Sequence, residues 1–169
     1  KRTAKALNQL TEFTEKDRES IEKKLFAAYT QIGFWVEKLN SLKTEIDDLD
    51  IKIKTARKVH KLKPVMDKLK TLSGHKKKSF ESEHQAEISD YRKSVKHLKE
   101  MFPSDNVPTP ETMEKKRNAL IQERSVKHDE YLSLKAKVSE LEKAHKTVDD
   151  FLRQEKIAAK KRKKETELF

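Results

Sequence analysis

The chain has no cysteine, only two glycines and four prolines, and a single tryptophan in 169 residues. Without cysteine it can form no disulfide, offer no thiolate to a metal and use no thiol nucleophile. Two isolated glycines cannot build a glycine-rich phosphate loop, and Ser73-Gly74 reads as a helix stop. No apolar run approaches the roughly 20 residues needed to cross a bilayer. No signal-peptide apolar segment opens the chain, and its start at Lys1 reads as that of a fragment of something longer. A cytoplasmic setting and no membrane partner are therefore expected.

What the chain has instead is charge. Charged residues make up 41% of it against 34% apolar. That ratio, with so few breakers, fits long helices that bury a narrow stripe. Disorder would share the composition, but the apolar residues recur at regular helical spacing instead of being scattered.

Residues 4–13 (Ala4, Leu7, Leu10, Phe13) read as a short amphipathic helix, followed by a polar stretch in which Thr14 or Asp17 can cap the next one. From about residue 18 to 62 only Gly33 weakens the helix, a tolerable cost of about 1 kcal/mol. Leu39, Leu42, Ile46, Leu49, Ile53 and Ala56 alternate by three and four, a coiled-coil seam, and the stripe continues back through Val36, Ile32, Tyr29 and Leu25. Pro64 should end this helix, because the residue before a proline disfavours helical backbone. A short helix over 65–72 and a third over about 76–102, with Phe80, Ile88, Tyr91, Val95, Leu98 and Phe102 on one face, would follow. Residues 103–110 form a Pro-rich loop, with Thr109-Pro110 as cap and first turn of the last helix. There the heptad returns in Tyr131, Leu134, Val138, Leu141, His145, Val148 and Leu152.

Two matched seams around a compact insert imply an all-α fold. It should be a long antiparallel coiled-coil hairpin with a small helical insert at its tip and a short N-terminal helix. The expected divisions are 1–17 (short helix and turn), 18–62 (first long helix), 63–109 (insert and loop), 110–155 (second long helix) and 156–169 (basic tail). Matching the heptads sets Leu25 near Leu152, Ile32 near His145, Leu39 near Val138 and Ile46 near Tyr131. Pairing within one chain gives a monomer, and a coiled-coil dimer is the alternative.

No catalytic constellation emerges. His60, His75, His84, His97, His128 and His145 never fall at HExxH or HxH spacing. His60 and His145 sit at seam positions and read as polar register residues. Carboxylates on long helices normally pair with lysine at i,i+4. Tyr29, Phe34 and Trp35 read as a hydrophobic staple for the short first helix, and Phe80, Tyr91 and Phe102 as core of the insert. No enzyme activity, metal or cofactor is implied.

The basic segments are the functional candidates. Net charge is +11, but residues 52–78 hold eleven Lys or Arg against the single acid Asp67, and residues 153–164 hold seven against Glu155. Concentrated patches imply a polyanionic partner. The candidate contacts are Lys52, Lys54, Arg57, Lys58, Lys61, Lys63, Lys68, Lys70, Lys76, Lys77 and Lys78, with Lys160, Lys161, Arg162, Lys163 and Lys164 as a second group. Lysine outnumbers arginine ten to one in the first group, which favours phosphate contacts over base reading. The plainer reading is a solvated surface at the insert and a frayed helix end at the tail.

The order of pieces resembles a known family. AKALNQLTEF at 4–13, Ala27-Ala28-Tyr29 entering a heptad seam, and KSFESEHQAEI at 78–88, similar to a "KKFLAEHEADI" stretch, look like the region downstream of the nuclease in MobA-like relaxases of Gram-positive conjugative plasmids and transposons. Lys115-Lys116-Arg117, Tyr131 and the ending Val148-Asp149-Asp150-Phe151-Leu152 match as well. In that family the nicking chemistry belongs to an N-terminal domain with a tyrosine nucleophile and a histidine-metal site, so no catalytic residue is carried over. The resemblance implies a bacterial, non-catalytic C-terminal module that supports DNA processing or recruitment to type IV secretion. Its implied partners are transfer-origin DNA, an accessory DNA-binding protein or the coupling ATPase. The rival from another class is a coiled-coil spacer without specific nucleic-acid binding.

Overall fold

Both long helices begin at the caps their sequences offer. In the computed structural model, which describes residues 13–104 and 106–166, helix α1 (Glu15–Thr71) starts after Thr14. The Asp17 amide donates to Thr14 Oγ1 at 3.3 Å, and the Asp17 carboxylate accepts from the Thr14 amide at 2.8 Å and hydroxyl at 2.7 Å. This reciprocal box satisfies donors that a helix N-terminus otherwise leaves open. Helix α4 (Pro110–Thr166) follows Thr109, whose Oγ1 accepts from the Thr112 amide at 3.3 Å. Pro110 has no amide proton to leave unsatisfied there. Between them lie α2 (Gly74–Glu83) and α3 (Gln85–Met101). The protein is all-α, with 92% helix and no strand among the described residues, and a long helix packs on another as in a helical hairpin.

By internal packing the chain divides into two units, one of Lys1–Glu37 with Lys127–Phe169, the other of Lys38–Val126. In the first, α1 and α4 are antiparallel. Glu15 pairs with Lys156 at 2.9 Å, Glu22 with His145 at 3.2 Å, and Tyr29 donates to Glu142. Phe13 meets Phe151 edge to face, and Lys127 lies over the Trp35 ring. In the second unit α1 and α4 are joined by α3. Leu49, Ile53 and Ala56 of α1, Leu98 of α3 and Met113 of α4 form one buried cluster. Leu69, Phe80 and Ile88 form another that fastens α2 to the last turns of α1. Each fully buried large aliphatic side chain in such a cluster is worth about 1.5–3 kcal/mol.

The seam of α4 is protected as its heptad requires: Val138 and Val148 are buried, and Tyr131, Leu134, Leu141, His145 and Leu152 half-buried. On α1 Leu39, Leu42, Leu49, Ile53 and Ala56 are buried. Toward the N-terminus the stripe runs through Trp35, Ile32, Ala28 and Leu25, whereas Tyr29 and Val36 stay 48% and 40% exposed. The 3.6-residue period drifts from a strict heptad, and one step of phase exchanges each residue for its neighbour.

Four further expectations are corrected. Pro64 does not end α1, so the boundary at 62 and the separate helix over 65–72 do not exist. The proline's missing donor falls on an exposed face, while Val65, Met66 and Leu72 hold the following turns against Leu69, Phe80 and Ile88. The break falls instead at Leu72-Ser73, before Gly74 at φ 57°, a left-handed conformation that suits glycine. The helix expected over 76–102 is interrupted at His84 (φ −111°, ψ 23°), where no Gly or Pro marks the sequence. Phe80 and Phe102 consequently belong to different clusters, and Tyr91 to neither. Residues 156–166 are not a tail but the last turns of α4. Finally, the register of α4 is displaced: His145 faces Glu22 rather than Ile32, and Tyr29 meets Glu142 rather than the neighbourhood of Val148. A slip of seven residues returns every seam position to a seam position, so the apolar pattern alone is nearly degenerate. The expected short helix over 4–13 lies, apart from Phe13, outside the described residues.

Candidate nucleic-acid interface

The last turns of α1 present lysine in rows because apolar and basic residues alternate around the helix. Val65, Met66, Leu69 and Leu72 point into the cluster with Phe80 and Ile88. At 100° per residue, Lys54, Lys61 and Lys68 share one flank of that stripe and Lys63 and Lys70 the other. All five are exposed. Lys76, Lys77 and Lys78 add three successive exposed cations in the first turns of α2. Lys68 also lies over the Phe80 ring, its Nζ 5.2 Å from the centroid.

Ion pairing separates the sequence candidates into two sets. Lys52 Nζ is 2.6 Å from Asp48, Arg57 Nη2 is 2.6 Å from Glu114 and Lys58 Nζ is 2.8 Å from Asp90. Hydrogen bonding from Lys58, reinforced by its charge, holds the Asp90 carboxyl below the usual aspartate range. These three cations are committed to carboxylates within the fold. Lys54, Lys61, Lys63, Lys68, Lys70, Lys76, Lys77 and Lys78 have no carboxylate within 4.0 Å among the described residues. From Lys61 to Lys78 the only acid is Asp67. The structure therefore leaves the C-terminal end of α1 and the start of α2 as the unneutralised part of the patch.

Lys160, Lys161, Arg162, Lys163 and Lys164, on α4 of the other unit, are exposed and have no carboxylate partner among the described residues. Five consecutive helical residues point in five directions, so they surround the helix instead of forming one face. Sequence reasoning missed a third group. Arg92, Lys96 and Lys99 on α3 lie at i, i+4 and i+7, share one exposed side and have no carboxylate partner among the described residues. That spacing was legible once a helix was placed there.

His60 is exposed rather than a seam residue, whereas His145 stands in the seam between Glu22 and Asp149, at 3.2 and 3.6 Å. Among the described residues no group of three or more His, Asp or Glu is placed to hold a metal ion, and no helix is long and apolar enough to cross a membrane. No family model matches the chain, and no curated protein or solved structure is significantly similar to it.

Proposed function

We propose that the chain is a non-catalytic helical module that grips the phosphate backbone of nucleic acid through the end of α1 and the start of α2. The observation that supports this is the sorting of cations just described. Lys52, Arg57 and Lys58 are neutralised by carboxylates, whereas the seven lysines from Lys61 to Lys78 face solvent with one acid among them. Lysine on an exposed helix surface gives a sequence-independent, salt-sensitive grip on phosphates. The wider setting we propose is the C-terminal helical part of a conjugative relaxase. There the module would support DNA processing or recruitment to type IV secretion in the bacterial cytoplasm, with transfer-origin DNA, an accessory DNA-binding protein or the coupling ATPase as partners. That setting is supported by the sequence resemblance alone.

Affinity at low salt would not discriminate, because any protein this basic binds DNA there. The salt slope does: log K should fall against log[salt] by about 0.9 for each phosphate neutralised on a duplex. Reversing Lys76, Lys77 and Lys78 to Glu should flatten the slope by up to about 2.7 at that rate. Reversing the exposed Lys23, Lys137 and Lys146 should change it much less. Equal losses from both triplets would mean diffuse attraction by net charge, and a coiled-coil spacer would become the better reading. The relaxase setting has its own check: a nuclease domain with a tyrosine nucleophile should be encoded upstream of Lys1 in the same reading frame.

A further inference from the structure

Where α3 and the loop before α4 meet α1, the packing leaves an apolar cleft of about 330 Å³. Ala56 and Leu98, 3% and 6% exposed, form its floor, Val59 and Val95 its walls, and Val107 and Pro108 its lip. This volume is at the small end of ligand sites, which are concave and mostly apolar with few polar groups. The polar residues of the lining are His60 on α1, Lys99 on α3 and Thr109 before α4. Pro108 and Pro110 fix φ on either side of Thr109, which limits the backbone freedom lost there on association.

We propose that this cleft is a docking site for a bulky apolar side chain carried on an acidic segment of a partner protein. The apolar lining selects the anchor, and charge complementarity selects what flanks it. Lys99 has no carboxylate partner among the described residues, Lys96 stands almost one turn away on the same side of α3, and His60 faces them from α1. Hydrogen bonding from its own amide and the Thr109 hydroxyl, with the charges of His60 and Arg57 nearby, holds the Glu111 carboxyl below the usual glutamate range. A flipped nucleobase fits less well, because bases are held by stacking on aromatic faces and no Phe, Tyr or Trp lines the cleft. The proposal stands apart from the phosphate-binding reading, since it uses neither the lysines of residues 61–78 nor the end of α4.

The test uses the intact chain, methyl-labelled at Val and Leu. It is titrated with three probes: acetyl-Glu-Glu-Trp-Glu-Glu-amide, its counterpart with Lys in place of Glu, and oligothymidylate. The acidic peptide should shift the methyl signals of Val59, Val95, Leu98 and Val107 saturably, while the other two leave them in place. Lys99→Glu should weaken binding by about two- to fivefold, as expected for one exposed rim ion pair. Val95→Phe, which fills the cleft, should weaken it by more than about tenfold, as loss of a central anchor does. If Val95→Phe loses helix by circular dichroism, Val107→Glu at the exposed lip takes its place with the same expectation. The proposal is overturned if no cleft methyl moves with the acidic peptide at millimolar concentration, or if the basic peptide or the oligonucleotide moves the same methyls as far.

Discussion

Arg117 of α4 places its Nη1 2.8 Å from Oδ1 of Asp50 on α1, across the seam of the second unit. Arg117 occupies a position where the heptad calls for an apolar residue, and its side chain is 30% exposed. A cation there is tolerated because a carboxylate meets it, and the pair distinguishes one alignment of the two helices from its near-equivalents.

The alignment can be checked by double-mutant cycles. Asp50→Ala and Arg117→Ala should couple by about 0.5 kcal/mol, within the range for exposed ion pairs. Asp50→Ala with Lys127→Ala, the pairing that the heptad match alone would give, should show no coupling. Coupling in the second cycle and none in the first would restore the displaced register.

The phase of the α1 stripe is tested by truncation. Leu42 is 1% exposed, and Leu42→Ala should cost about 2–5 kcal/mol through lost burial and a cavity. Val36, 40% exposed, should lose less than about 1 kcal/mol on the same change. Urea unfolding measures both, and similar losses would mean that Val36 belongs to the seam.

Pro64 leaves the His60 carbonyl without its helical donor in the interior of α1. Replacing it by alanine should restore that bond and stabilise the fold, by up to about 3 kcal/mol on the helix-propensity scale. A fall in melting temperature for Pro64→Ala would show that the proline is required where it stands.

The N-terminal box of α1 gives a pH dependence with a definite sign. Hydrogen bonds from the Thr14 hydroxyl and amide hold the Asp17 carboxyl below the ordinary aspartate range. A depressed folded value means that the ionised form stabilises the folded state. The contribution is therefore complete above the unfolded value, near pH 4, and is lost as pH falls through the folded one. Asp17→Asn should unfold at a lower temperature than the parent at pH 7, and the gap should narrow as pH falls through the depressed folded value. A gap that stays constant down to pH 2 would assign the effect to side-chain shape.

The sequence by itself determined the fold class, because heptad spacing over Leu39–Ala56 and Tyr131–Leu152 leaves no other way to bury so narrow a stripe. It also marked the starts of α1 and α4, since Thr14 with Asp17 and Thr109 with Pro110 act through bonds to neighbours one turn away. It located the basic segments, because charge is additive along a chain. Tertiary structure decided the remainder. Pro64 stays helical because Leu69, Phe80 and Ile88 pack beyond it, and α2 and α3 part at His84, where no breaker residue marks the sequence. The register depended on pairs more than sixty residues apart, such as Asp50 with Arg117 and Glu22 with His145. The sorting of cations depended on distant contacts too, since Arg57 is neutralised only when α4 brings Glu114 alongside, and Lys58 only when α3 brings Asp90. A periodic sequence specifies which face is buried, but a period repeats, and only contacts between distant residues can choose among the repeats.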